Sequence, residues 1–187
     1  MRSLRSTRNP SAEPPTPLFV RITGEDHPKA CTGRRLVRQG LAREWKEGTV
    51  NGRGPILLDP WAEQPLTMLD RPRAATAGIL VIDCSWNRLE QRGGFDPALA
   101  SVARGPRRRL PWLLAGNPQH YGRVGELNTA EAFAGALDIL GERPAAERVL
   151  GTIAGGPGFL ALNARPLEAY RNARSVEELK AAEHEFF

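Results

Sequence analysis

The chain of 187 residues is long enough for one domain, or for a small domain joined to a larger one. Its 41% hydrophobic and 25% charged residues are ordinary for a soluble globule, and a formal charge of +5 points to an anionic partner, nucleic acid before a membrane surface. No apolar run reaches the roughly 18 residues of a membrane span, no apolar stretch follows the N-terminal charges as in a secretory signal, and the two cysteines, Cys31 and Cys84, form no C-x-x-C motif.

Residues 1–17, rich in Arg, Ser and Pro, predict a disordered basic tail. Leu18–Ile22 reads as the first strand. After a turn around Gly24, Thr32 is placed to cap a short helix over residues 34–39, which Gly40 ends as a C′ glycine. Pro55–Leu58 is a second short strand, and residues 59–72 read as an irregular loop containing Trp61. Ile79–Ile82, apolar without interruption, predicts a strand buried on both faces of a parallel sheet. It runs into Asp83, Ser85 and Trp86, at the edge where open α/β folds bind ligands. A loop with Gly93-Gly94 and a helix opened by Asp96-Pro97 follow.

Arg107, Arg108 and Arg109 form the densest basic spot, read as a phosphate clamp. Leu110–Ala115 reads as a further strand. Asn128 and Glu131 have capping-box spacing, and Ala130, Phe133, Ala134, Leu137 and Leu140 give the helix they open one apolar face. Gly141 ends it. Helices from Pro144 and Pro157 follow, and Ser175 with Glu178 predicts a second capping box on a charged terminal helix.

The three histidines, His27, His120 and His184, are too few and too scattered to predict a metal. Gly-x-Ser-x-Gly, a Walker A loop and Gly-x-Gly-x-x-Gly after a strand are all absent. That leaves a cofactor gripped by loop backbone, with aromatic and apolar walls.

Residues 26–33 (DHPKACTG), 81–86 (VIDCSW), 110–122 (LPWLLAGNPQHYG), 126–132 (ELNTAEA) and 158–163 (GFLALN) occur in that order. Together they resemble the small-subunit (16S/18S) rRNA aminocarboxypropyltransferases of archaea and eukaryotes, from about Leu18 to Tyr170. The pattern departs from that family where Asp59-Pro60 replaces Ser-Pro and where Gly116 replaces alanine.

The resemblance implies an α/β protein, with a small N-terminal α/β domain over 18–75 and a SPOUT-like domain with a deep trefoil knot over 76–187. It implies S-adenosylmethionine as cofactor. The reaction would transfer the 3-amino-3-carboxypropyl group to N3 of a pseudouridine, or its N1-methyl form, in small-subunit rRNA during ribosome biogenesis. The positions that match cofactor contacts are Thr32, Ile82, Trp86, Leu110, Gly125 and Thr129, with Asp83 beside the reacting chain. Arg34, Arg35, Arg38 and Arg107–Arg109 would hold RNA phosphates. A cytoplasmic monomer is expected. A methyltransferase of the same class and a non-catalytic rRNA-binding assembly factor stay open as alternatives.

Overall fold

The computed structural model describes residues 16–24, 31–46, 54–95 and 104–187. The basic tail to residue 15, His27 and the helix expected from Asp96-Pro97 lie outside the described residues.

A five-stranded parallel sheet has the order β2-β1-β4-β3-β5, where β1 is Leu18–Ile22, β2 Arg43–Glu44, β3 Ile56–Leu58, β4 Ile79–Asp83 and β5 Arg107–Arg108. β1 and β4 pair from Leu18↔Ile79 to Ile22↔Asp83, and β3 joins β4 from Ile56↔Ile79 to Leu58↔Val81. β4 is buried along its whole length, as its apolar run predicts. The two-residue side-chain period divides it between two cores. Ile79 and Val81 join the large helical core, whereas Leu80 and Ile82 face a smaller cluster with Phe19, Trp45 and Leu57. The boundary expected between residues 75 and 76 falls between strands of this one sheet: β1, β2 and β3 come before it, β4 and β5 after.

Among the described residues the α-helices are α1 (Thr32–Arg38), α2 (Arg71–Ala77), α3 (Trp86–Arg92), α4 (Thr129–Ile139), α5 (Arg143–Leu150), α6 (Gly156–Leu162), α7 (Ala164–Asn172) and α8 (Val176–Phe186). α1 starts two residues before its expected span. Its N-cap is Cys31, whose sulfur accepts from the Arg34 N–H, and Thr32 is the first helical residue. α2 begins on Arg71-Pro72, where the expected loop ends, and α3 lies where a loop is expected after Trp86. α2 carries a proline in its first turn, and α3 ends on Gly93, at φ +68°.

α4 is the central helix. Its sequence predicts one apolar face, yet Thr129, Glu131, Gly135 and Asp138 are buried too. The reason is its surroundings: α1, α5, α6, α7 and β4 all pack against it. Small residues let neighbours approach, and the acids among its buried residues have partners. Asp138 accepts from Arg143 at 3.0 Å and from Arg171 at 2.5 Å.

Residues 110–115 form no strand in the sheet. They run extended between the sheet and the C-terminal helices, with a single bridge from Leu114 to Val124. Buried backbone polar groups need partners: those of Leu113 and Ala115 bond to the backbone of residues 122–125, and those of Trp112 and Leu114 to side chains from far along the chain. Glu183 accepts from Trp112 N at 2.9 Å, and Tyr170 donates to Trp112 O at 2.9 Å. The Asn163 amide brackets Leu114, accepting from its N–H at 2.8 Å and donating to its carbonyl at 2.9 Å.

Candidate functional site

A cleft of about 680 Å³ opens where the strands end. Its walls are the residues that follow β3 (Asp59, Pro60, Trp61), those that follow β4 (Cys84, Ser85, Trp86), and the extended segment from Arg109 to Trp112. Residues 124–129 and Thr32 complete it. This is the carboxyl edge of a parallel sheet, where loops are free to build a site on rigid strands. Thr32, Ile82, Asp83, Trp86, Leu110, Gly125 and Thr129 all line this one cleft. In sequence they are spread over almost 100 residues, so only the fold brings them together.

Asp83 is buried at the base of the cleft, and both its oxygens hold donors. Oδ2 accepts from the Cys31 thiol at 2.7 Å, and Oδ1 accepts from the Thr129 hydroxyl at 2.5 Å. The Asp83 carbonyl accepts from the Thr23 hydroxyl at 2.9 Å. Gly33 closes the same corner: a Cβ there would stand 2.7 Å from Asp83 Oδ2. Burial first, and then the bond to Asp83, push the Cys31 thiol up to about 11, so at neutral pH it is a protonated donor. Composition alone offers no signal for this role of Cys31.

Trp86 donates its indole N–H to Leu127 O at 2.8 Å, which fixes the ring as part of the wall. Gly125 sits at φ +79° with its N–H given to Leu113 O at 2.8 Å.

The loop over residues 116–128 is built around Glu131, a residue read from sequence only as half of a capping box. The box is present. The buried carboxylate also accepts from Gly116 N at 2.9 Å and from Asn117 Nδ2 at 2.7 Å. Asn117 Oδ1 in turn accepts from His120 N at 3.0 Å, and the His120 ring pairs with Glu126.

The six arginines expected at RNA differ in exposure and in their partners. Arg34 and Arg38 are exposed on α1, while Arg35 donates to Thr152 O at 3.3 Å. Arg107, Arg108 and Arg109 turn to three different carboxylates. Arg107 pairs with the buried Asp59, Arg108 with Asp70 at 3.1 Å, and Arg109 with Glu183 at 2.6 and 2.8 Å. Alternation along the strand sends neighbouring side chains to opposite faces, which separates them. Of the three, Arg107 keeps the most open side chain, 50% exposed.

Among the described residues, no group of three or more His, Cys, Asp or Glu side chains is placed to hold a metal, and no helix is long and apolar enough to cross a membrane.

Residues 56–187 match the family described as "Ribosome biogenesis protein, C-terminal". Residues 16–48 match a "Possible Fer4-like domain in RNase L inhibitor". That stretch contains one cysteine, Cys31, where an iron–sulfur cluster takes about four thiolates, so its residues do not fit such a cluster. The chain is 42% identical over 171 residues to a 16S rRNA aminocarboxypropyltransferase of Methanosarcina acetivorans, covering 91% of this chain and 94% of that one. An enzyme of the same name from Methanopyrus kandleri is 40% identical over 160 residues, covering 85% and 91%. The fold is similar to that of the SAM-dependent rRNA:acp-transferase Tsr3 from Vulcanisaeta distributa, with TM-score 0.75, 33% identity, and 91% and 95% of the two chains covered.

Proposed function

The chain belongs to the family of 16S rRNA aminocarboxypropyltransferases, and from that premise we propose that it transfers the 3-amino-3-carboxypropyl group of S-adenosylmethionine to N3 of a pseudouridine, or its N1-methyl form, in small-subunit rRNA. The observation that carries this reading is the convergence of Thr32, Ile82, Asp83, Trp86, Leu110, Gly125 and Thr129 on one cleft.

The donor set fits the cofactor. A cationic, partly apolar molecule asks for a carboxylate, an aromatic face and apolar walls. Asp83, Trp86 and the side chains of Leu58, Ile82, Leu110 and Leu127 supply them. Bound there, S-adenosylmethionine supplies a sulfonium with three electrophilic carbons, and the one presented to the nucleophile decides which group is transferred.

The protein's own task is therefore positional. Trp86, fixed through Leu127, and the apolar walls hold the cofactor's orientation. Asp83 complements the cationic centre. Each of its oxygens already accepts one donor, and a carboxylate offers about four lone-pair sites, so capacity remains for the N3–H of an incoming base. Asp83 Oδ receives that proton as the ring nitrogen becomes the nucleophile. Arg34, Arg38 and Arg107 approach the RNA phosphates.

The same reading makes the C-terminal part SPOUT-like and knotted. Its support is the family membership and the likeness to the Tsr3 structure. An experimental chain trace that pulls straight from both ends would remove the knot. Action as a cytoplasmic monomer also belongs to this reading, and light scattering on the purified chain tests the oligomeric state.

The deciding experiment incubates the chain with small-subunit rRNA and cofactor labelled either in the carboxyl group or in the methyl group. Carboxyl label should enter the RNA. Methyl label entering instead would replace this reaction with methyl transfer, and binding of RNA without cofactor would leave an assembly factor.

A further inference from the structure

Two large aromatic rings stand open on the wall of the cleft without belonging to the set that matches cofactor contacts. Trp61 is 43% exposed and Trp112 is 40% exposed. An indole is one of the largest apolar surfaces a protein owns, and leaving two beside one opening marks an interaction site.

Both are rigidly mounted. Trp61 follows a turn in which its backbone N–H donates to Asp59 Oδ1 at 3.0 Å, and Asp59 is itself buried and paired with Arg107. Phe95 packs edge-on against the Trp61 ring, with centroids 6.2 Å apart. Trp112 is tied by its N–H to Glu183 and by its carbonyl to Tyr170. His184 and Phe187 pack edge-on against its ring at 6.1 and 6.3 Å. The two carrier segments are joined by the backbone bonds between Arg109 and residues 64 and 66. Rings held this way lose little further freedom when a flat partner arrives.

The surroundings select the partner. Arg107, paired with Asp59 of one carrier segment, and Arg123, paired with Glu126 and adjoining Val124 of the cleft wall, still keep side chains 50% and 63% exposed, in a chain of net charge +5. Open aromatic faces bordered by cations are the means by which proteins hold unstacked bases on a phosphate chain. We propose that Trp61 and Trp112 form a stacking surface for the bases that flank the target nucleoside in single-stranded RNA. This inference rests on the RNA-modifying reading above. It assigns to the two tryptophans the splaying of the strand, while the deeper residues hold the cofactor and the reacting base.

The test uses the full chain, fluorescence anisotropy with a short fluorescein-labelled oligouridine, and the same oligomer made abasic. Trp61→Ala and Trp112→Ala should each weaken oligouridine binding about tenfold, since stacking contributes roughly 1–3 kcal/mol per base. Trp61→Phe and Trp112→Phe should recover most of that loss. Binding of the abasic oligomer and the slope of affinity against salt should not change, because the phosphate contacts are intact. S-adenosylmethionine affinity by calorimetry should also stay the same. Unchanged oligouridine affinity in both alanine variants overturns the proposal, as does an equal loss on the abasic oligomer. Loss of cofactor affinity would move the rings into the cofactor site and overturn it too. A wild-type chain that modifies RNA while its tryptophan variants bind oligouridine normally sinks this inference alone. A wild-type chain that binds neither cofactor nor RNA sinks the reading beneath it.

Discussion

Asp83 draws its orientation from two donors on different helices, the Cys31 thiol at the cap of α1 and the Thr129 hydroxyl at the start of α4. A hydrogen bond to a charged acceptor contributes about 1.5–3 kcal/mol. Cys31→Ala removes one and lets the carboxylate turn, whereas Cys31→Ser keeps a donor of similar reach. Transfer kinetics should show kcat/KM about tenfold lower in the alanine variant and within about threefold of wild type in the serine variant. Equal losses in both would reduce Cys31 to a packing residue. The thiol also gives a sign to alkaline stability. Its folded pKa of about 11 lies above the thiol's ordinary 9.0, so the unfolded chain releases the proton first and stability falls as pH rises through that window. Thermal melts of Cys31→Ser between pH 9 and 11 should lack this part of the decline. At the opposite wall, Trp86→Ala should weaken cofactor affinity in calorimetry, and unchanged affinity would remove the ring from the site.

At the scale of elements, the segment over 110–115 shows what local pattern can reveal and what it cannot. Its apolar run reads as a strand entering the core; Leu113 and Ala115 do join the core, but the segment pairs with no strand of the sheet. The partners are the surprise, because Asn163 pairs with Leu114 as a neighbouring strand would. Asn163→Ala leaves buried N–H and C=O groups without partners and should destabilise the fold by about 3 kcal/mol, at roughly 1–3 kcal/mol per orphaned group. That corresponds to a fall in melting temperature of about 6–12 °C for a chain of this size. A shift below about 2 °C would mean that water or a rotamer change takes the amide's place. The same contrast runs through the fold. β4, the start of α4 and the Gly40 stop were legible because burial on both faces, a side-chain cap and a positive φ each leave a local signature. The terminal capping box was half legible: Ser175 caps Glu178 N at 3.1 Å, but the Glu178 carboxylate reaches Arg174 N instead of the cap. The paired roles of Arg107–Arg109 were not legible, since their carboxylates sit 38–74 residues away. The cleft-lining residues became visible through family motifs. Ile82 and Leu110 look like plain core to any periodicity argument.

Over the whole molecule, the cleft depends on its farthest element. Glu183 on α8 accepts from Arg109 through two bonds and from Trp112 N through a third, so the last helix clamps the wall that Leu110 and Trp112 form. The Glu183 side chain is 4% exposed and that of Arg109 is 18%, which leaves little solvent to replace either partner. Removing one member of a buried pair strands the other charge and costs about 3–5 kcal/mol. Glu183→Ala should therefore lower stability by about that amount and, in whatever fraction remains folded, weaken cofactor binding at a site the glutamate does not line. Glu183→Gln retains an acceptor for Trp112 N while losing the ion pair, so it should restore cofactor affinity more fully than stability. Calorimetric binding and thermal melts on the two variants separate these effects. If Glu183→Ala melts early yet binds cofactor with wild-type affinity, the C-terminal helix holds the fold without shaping the site. If affinity follows the Trp112 N bond instead, the site's geometry is set by the chain's last helix as much as by the strand that ends at Asp83.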